Sequence, residues 1–244
     1  MKRYLTIVLI AASALLTPFF AFAAIAVDAA TTGGQTTTAT ELSWSHTVTG
    51  TNTILTVGLT EESADDITGI TYNSVALTLG KKGTSGTGYG RPELWYLINP
   101  TTSANTITIS RTGTTGRLTG VASSYTGAKQ SGQPDATGAN NVTAATSMAT
   151  SVTTVADNSW TIMMTDTSAA GEAAGAGTTL RQAGSDASDL WDSNAAITPA
   201  GSTSLNITMA SGNAGSAMIS IAPAVADAGG AAQASQPLIA FGFE

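Results

Sequence analysis

The decapeptide at positions 91–100, RPELWYLINP, constrains the fold more than any other stretch of the chain. Neighbouring side chains on a β-strand point to opposite faces, so Leu94, Tyr96 and Ile98 fall on one side and Trp95 and Leu97 on the other. A strand at the open face of a sheet is apolar on one side only. This segment therefore belongs at the centre of the molecule, covered on both faces by a second sheet, a long loop or a partner.

The rest of the sequence reads as sheet. Only 10% of residues are charged, yet 42% are hydrophobic, too many for a disordered chain. Thr is abundant, and its branched Cβ suits the exposed face of a pleat. Alternation with a period of two marks strands at 42–48, 53–60, 67–72, 75–79, 91–98, 105–111 and 117–127. Asn73-Ser74 supplies a two-residue hairpin turn, and 80–90 reads as a long Gly-rich loop. From 128 to 146 no period is visible, and the segment reads as a polar connector. Beyond it, 151–155 and a strand carrying Trp160, Ile162 and Met164 flank an Asp157-Asn158 turn. Further strands are expected around 178–182 and 188–197. A closing pair, SLNITMA and SAMISIAP, is separated by a turn at 211–215.

The expected fold is all-β: a two-sheet antiparallel sandwich, jelly-roll-like, with about 10–12 strands. Its core is predicted from Trp44, Ile54, Val57, Ile70, Leu94, Tyr96, Ile107, Trp160, Ile162, Leu205, Ile207, Met218 and Ile219. The 47–60 and 153–166 hairpins share a pattern that any repeated turn grammar in an all-β chain also produces.

Five segments are expected. Residues 1–23 resemble a secretory signal peptide: Lys2 and Arg3, an apolar stretch, Pro18, and Ala21-Phe22-Ala23 as a cleavage motif. Retention of this stretch as an uncleaved anchor is the alternative. Residues 24–40 read as a polar lead, 41–223 as the sandwich, 224–236 as an Ala/Gly/Ser linker, and 237–244 as an apolar terminal strand. After leader removal seven basic side chains face sixteen acidic ones. That balance argues against nucleic acid as a partner, since phosphates demand clustered Lys and Arg. No second apolar segment is long enough to cross a membrane. The chain has no cysteine, so an exported domain of this kind must be held by its core alone.

The stretches ITGITYNSVALT, RPELWYLINPTTSANTITIS, VASSYTGA and DNSWTI resemble a loosely defined family of exported β-sandwich proteins of bacteria and phage. In that family a T-Y-N-G-x-x-L-T hairpin, an E-x-W-Y-L-x-N-P strand end and an S-Y-x-G-V element recur. The resemblance runs from about Trp44 to Ala222. Here Ser74 stands where the family has Gly, and Ala128 where it has Val. It implies the fold and export, and no agreed activity.

Chemistry is sparse. The only histidine, His46, shares a strand face with Leu42, Trp44 and Val48, as a packed, hydrogen-bonded side chain would. No G-x-S-x-G elbow accompanies it. One His and no Cys exclude a zinc site. Glu93, beside Trp95, is the one carboxylate in a dense strand context, and would serve a glycoside hydrolase-like enzyme together with a loop Asp. Asp186, Asp189, Asp192 and Asn194 are candidate calcium ligands from one loop; no other cofactor is expected. Tyr89, Trp95, Tyr125 and Trp191 are the candidate platforms for glycans, which sandwich modules hold by stacking. Leu238, Ile239, Phe241 and Phe243 would carry self-association by strand addition to another copy. The leading expectation is a secreted, non-catalytic structural or adhesive protein of the cell surface. A carbohydrate-binding module comes second and a secreted glycoside hydrolase third.

Overall fold

A computed structural model describes residues 23–62 and 66–225. The leader through residue 22, residues 63–65, the linker from 226 and the terminal strand with Leu238, Ile239, Phe241 and Phe243 lie outside the described residues.

The described chain is all-β, with every strand pair antiparallel, but it builds three sheets rather than two. The central sheet runs β1 (Ala26–Thr36), β9 (Leu118–Thr126), β3 (Ile54–Glu61), β7 (Arg91–Ile98) and β6 (Thr78–Lys82). A second sheet has the order β2 (Glu41–Val48), β8 (Ser103–Arg111), β4 (Ile67–Tyr72) and β5 (Val75–Ala76). The third runs β10 (Ala136–Thr153), β15 (Ser202–Ile221), β11 (Trp160–Thr167), β14 (Leu190–Asp192) and β13 (Thr179–Gln182), with β12 (Ala173–Ala174) against β15.

Side-chain alternation on β7 explains the layering. Leu94, Tyr96 and Ile98 pack with Ile162 and Met164 of β11 and Ala217 and Ile219 of β15. Trp95 and Leu97 pack with Ile70 and Tyr72 of β4 and Ile107 and Ile109 of β8. The central sheet is thus covered by the second sheet on one face and the third on the other, which is what a segment bulky on both sides requires. β3 obeys the same logic, and each of its eight residues is buried.

A further apolar layer lies on the outer face of the third sheet. Met163, Trp191 and Met218, which alternate with the inward side chains of their strands, pack against Met148, Val152, Leu205, Ile207 and Met209. These come from the other halves of β10 and β15, because the paired ribbon bends back on itself. The register slips on either side of Ala145, and Ala144 takes the left-handed backbone conformation. The bend brings Asn140 Nδ2 to the Ala149 carbonyl at 2.7 Å and Thr150 Oγ1 to Ser216 Oγ at 2.6 Å.

Three expectations change. The polar lead at 24–40 contains β1, paired with β9 along its length; its small side chains hide it from any search for alternating bulk. The connector at 128–146 contains the first half of β10, which as an edge strand pairs on one side only and buries little there. The turn at 211–215 is absent: β15 runs through it, and both halves pair with β10. The Asn73-Ser74 hairpin forms as expected, with both residues at positive φ of 50° and 63°, the type I′ requirement. Its return strand is split, β5 staying in the second sheet and β6 crossing to the central one.

The described chain ends meet. Ala23 N–H donates to the Ala224 carbonyl at 2.8 Å, and Ala224 N–H to the Gly127 carbonyl at 2.8 Å. This pole carries the start of β3 and the ends of β7, β9 and β15. The opposite pole carries Glu61, Arg91 and Leu118, mutually in register. An eight-residue strand at about 3.3 Å per residue sets the two poles roughly 23 Å apart. Among the described residues no helix is long and apolar enough to cross a membrane.

Candidate functional site

The pole opposite the chain ends holds an open cleft of about 450 Å³, lined by Glu62, Gly88, Arg117, Glu172, Asp186 and the small side chains of 167–171. Four chain segments converge here because the central and third sheets end together. Arg117 precedes β9, Glu62 follows β3, Asp166 lies near the end of β11, and Asp186 belongs to the loop before β14. Arg117 is 7% exposed, and its guanidinium organises the cluster. Nη2 meets both carboxylate oxygens of Asp166 at 3.0 and 3.1 Å and Glu62 Oε1 at 3.0 Å. Nη1 donates to the Asp186 carbonyl at 2.8 Å and faces its carboxylate at 3.3 Å. Asp166 is fully buried and also accepts the Gly90 N–H at 2.6 Å and the Ser188 hydroxyl at 2.9 Å. Burial pushes its carboxyl up to about 6, against the pull of Arg117, Gly90 and Ser188 and with a smaller push from Glu62.

None of these residues was singled out from sequence except Asp186. Arg117 and Asp166 are 49 positions apart, and no local pattern marks either. A rare Arg in a chain so poor in charge was the available signal, since each buried charge needs a partner.

The residues predicted from sequence lie elsewhere or serve the core. Tyr125 is fully buried, edge-on to Trp160 at 6.0 Å, and its hydroxyl donates to Asp192 Oδ2 at 3.0 Å. Trp191 is 1% exposed, with its indole N–H on Thr165 Oγ1 at 2.8 Å. Tyr89 is 6% exposed and its ring lies against Gly86 and Gly215, where any Cβ would collide with it. Trp95 is half-buried, its indole N–H donating to Glu93 Oε2 at 2.9 Å. Three of the four rings are thus buried, Tyr125 in the central sheet, Trp191 in the third and Tyr89 in the loop before β7, and Trp95 is half-buried.

Glu93 is 1% exposed. Besides Trp95 it holds Arg91 Nε at 3.1 Å and Lys82 Nζ at 3.3 Å, so it bridges strand ends rather than facing a cleft.

Each of the four candidate calcium ligands is already engaged by another group of the protein. Asp192 is bound by Arg181 at 2.6 and 2.8 Å, and Asn194 Oδ1 accepts from the same guanidinium at 2.8 Å. Asp189 accepts the Gly184 N–H at 3.0 Å, and burial raises its carboxyl above the ordinary range. Asp186 faces Arg117. Among the described residues no group of three or more His, Cys, Asp or Glu side chains is placed to hold a metal ion.

His46 lies in a directed chain of hydrogen bonds. Burial pushes its imidazole down to about 4, outweighing the attraction of Asp28, so the ring is neutral at pH 7. Burial pushes the Asp28 carboxyl up, but the Thr49 hydroxyl and amide and the Ser124 hydroxyl outweigh it and hold it below its usual range. Asp28 is therefore a carboxylate that only accepts. Ser124 Oγ donates its one proton to Asp28 Oδ2 at 2.7 Å, so His46 Nε2 must donate to Ser124 Oγ at 3.1 Å. Nδ1 then accepts from Thr31 Oγ1 at 2.8 Å, whose oxygen accepts the Trp44 indole N–H at 3.0 Å. Ser, His and Asp are present in contact, but in the wrong order for a nucleophilic triad. The serine proton points at the aspartate, and the nitrogen that should take it already carries one.

Comparison with protein-family models, with curated proteins and with solved structures returns no match.

Proposed function

We propose that the chain is an exported, non-catalytic structural or adhesive domain of the cell surface, one that associates with further copies through its C-terminal segment. The observation that carries this reading is the meeting of the two described chain ends at one pole, Ala23 on Ala224 at 2.8 Å. A domain tethered by either end, or joined to a neighbour by residues 237–244, leaves the loops around Arg117 pointing away from the point of attachment. The saturation of the reactive side chains supports it. His46, Glu93, Asp166 and Asp192 are each spent on internal partners, as suits a disulfide-free domain that depends on internal contacts for its rigidity.

Removal of residues 226–244 from the leader-free protein, followed by mass measurement in solution, tests the assembly role. The expected result is an oligomer for the full chain and a monomer for the shortened one. Monomers in both cases contradict tail-mediated assembly.

A further inference from the structure

An unprotected edge strand presents a row of unpaired amides and carbonyls, a template for another strand. The edges of the three sheets differ in how they are guarded. β1 carries Asp28 and two breaks in its register. β6 carries Lys81 and Lys82, β13 carries Arg181, and β2 opens on Glu41. β5 and β12 are two residues long. The first half of β10, ATGANNV from Ala136 to Val142, has none of these devices: it holds no charge and no proline, and its register with β15 is unbroken. The charge-free run continues to Thr153, but there the fold covers it. Asn140 Nδ2 holds the Ala149 carbonyl at 2.7 Å, and Gly138 lies against the Ser151 carbonyl. Ala136–Val142 pairs with β15 on one side and with no described strand on the other. Thr137, Ala139 and Asn141 are exposed.

We propose that this open edge of β10 receives residues 237–244 of a second copy as an added antiparallel strand, an inference that rests on the tail-mediated assembly proposed above and names its receiving surface.

Donor and acceptor match in length and chemistry. LIAFGF at 238–243 bears no charge, so it brings nothing that a neutral edge would repel. Strand addition draws its affinity from main-chain hydrogen bonds and its specificity from alternate side chains. The small side chains of Ala136, Gly138 and Ala139 leave room beside them for Phe241 and Phe243, the aromatic-on-glycine pairing that steadies a strand edge. Geometry favours a second copy as the donor. β10 begins opposite Ser220, at the pole where the described chain reaches Val225, so a tail turning directly onto its own β10 would run parallel to it. Every described strand pair is antiparallel, and the antiparallel ladder is the more stable per residue. A tail from another copy meets the edge in that sense without first crossing the length of the domain.

Hydrogen exchange read by mass spectrometry, with mass measured in solution on the same samples, tests the assignment on the full leader-free chain. The comparison is between the wild type and a double variant of the donor, Ile239→Asp with Phe241→Asp. Peptides covering 136–143 should exchange at least about tenfold faster in the monomeric variant than in the assembled wild type, the scale of one lost ladder hydrogen bond. Peptides from the guarded edges β1 and β2 should exchange alike in both. Ala139→Lys, which gives β10 the guard it lacks, should raise the concentration of half-assembly about tenfold or more, and Ser45→Lys on β2 should leave it unchanged. Assembly abolished by the tail variant with unchanged exchange at 136–143 overturns the acceptor and leaves tail-mediated assembly standing. A monomeric wild type overturns both. Should Ala139→Lys fail to fold, the exchange comparison decides alone.

Discussion

At the scale of single residues, His46 shows how one buried side chain acquires a fixed state. Its ring is neutral in the fold and takes up a proton at about 4, whereas an unfolded chain takes it up near 6.5. The unfolded state binds the proton first, so stability is lost as the pH falls through 6.5 toward 4 and is fully present above 6.5. The loss amounts to roughly 3 kcal/mol once the pH is below both values. Urea midpoints for wild type and His46→Gln at pH 7.0, 5.5 and 4.5 should therefore converge with acidification, because the variant lacks this term. A constant difference contradicts the assignment. Asp166 works in the opposite sense: its carboxyl is raised in the fold, so its own term favours the folded state more as the pH falls from 6 toward 3.8. That His46 packs on an apolar strand face was legible from alternation. Its partners Thr31 and Asp28 were not, because they sit on β1, whose Ala, Thr and Gly residues give no periodic signal.

At the scale of elements, legibility follows bulk. β3, β7 and β9 send side chains into two apolar layers, β2 and β4 alternate one apolar face with one polar face, and all five were readable. Both halves of β15 and the end of β10 were readable as well; the unbroken run of β15 through 211–215 and the first half of β10 were not, since the ribbon bends back on itself and pairs small residues across the bend. Two glycines report on this packing. At Gly138 a Cβ would run into the backbone carbonyl of Ser151 on the folded-back half of the same strand. At Gly58 it would meet the thioether of Met164, 2.6 Å away, at the end of a flexible side chain. A carbonyl fixed in a ladder cannot move aside, whereas methionine repacks readily. Gly138→Ala is thus expected to cost about 2–3 kcal/mol and Gly58→Ala about 1 kcal/mol or less, read from chemical denaturation. The reverse order would contradict the bent ribbon. The aromatic candidates illustrate the same rule. Tyr125 and Trp191 could not be assigned to a binding face from sequence, because in stacked sheets both faces of a strand are interior.

At the scale of the whole molecule, the arrangement follows from one requirement. A chain of 244 residues with no cysteine needs a large core, and two stacked layers would leave one side of β7 and β3 in water. Three sheets bury both sides. Two buried ion pairs run between sheets, Arg111 with Glu61 at 3.1 Å and Arg117 with Asp166 at 3.0 Å, and pin the strand ends. Two sheets were expected from sequence and three are present, since a strand bulky on both faces says that something covers it without saying what. The absence of native cysteine makes the layering directly measurable. Ser123 and Ser124 are consecutive on β9, both fully buried, and face the third and second sheets respectively. Ser123→Cys and Ser124→Cys, introduced singly, should both resist a thiol reagent under native conditions and react only on global unfolding. Ready labelling of one of the two, with protection of the other, is the signature of a sheet covered on one face, and would contradict the three-sheet stack.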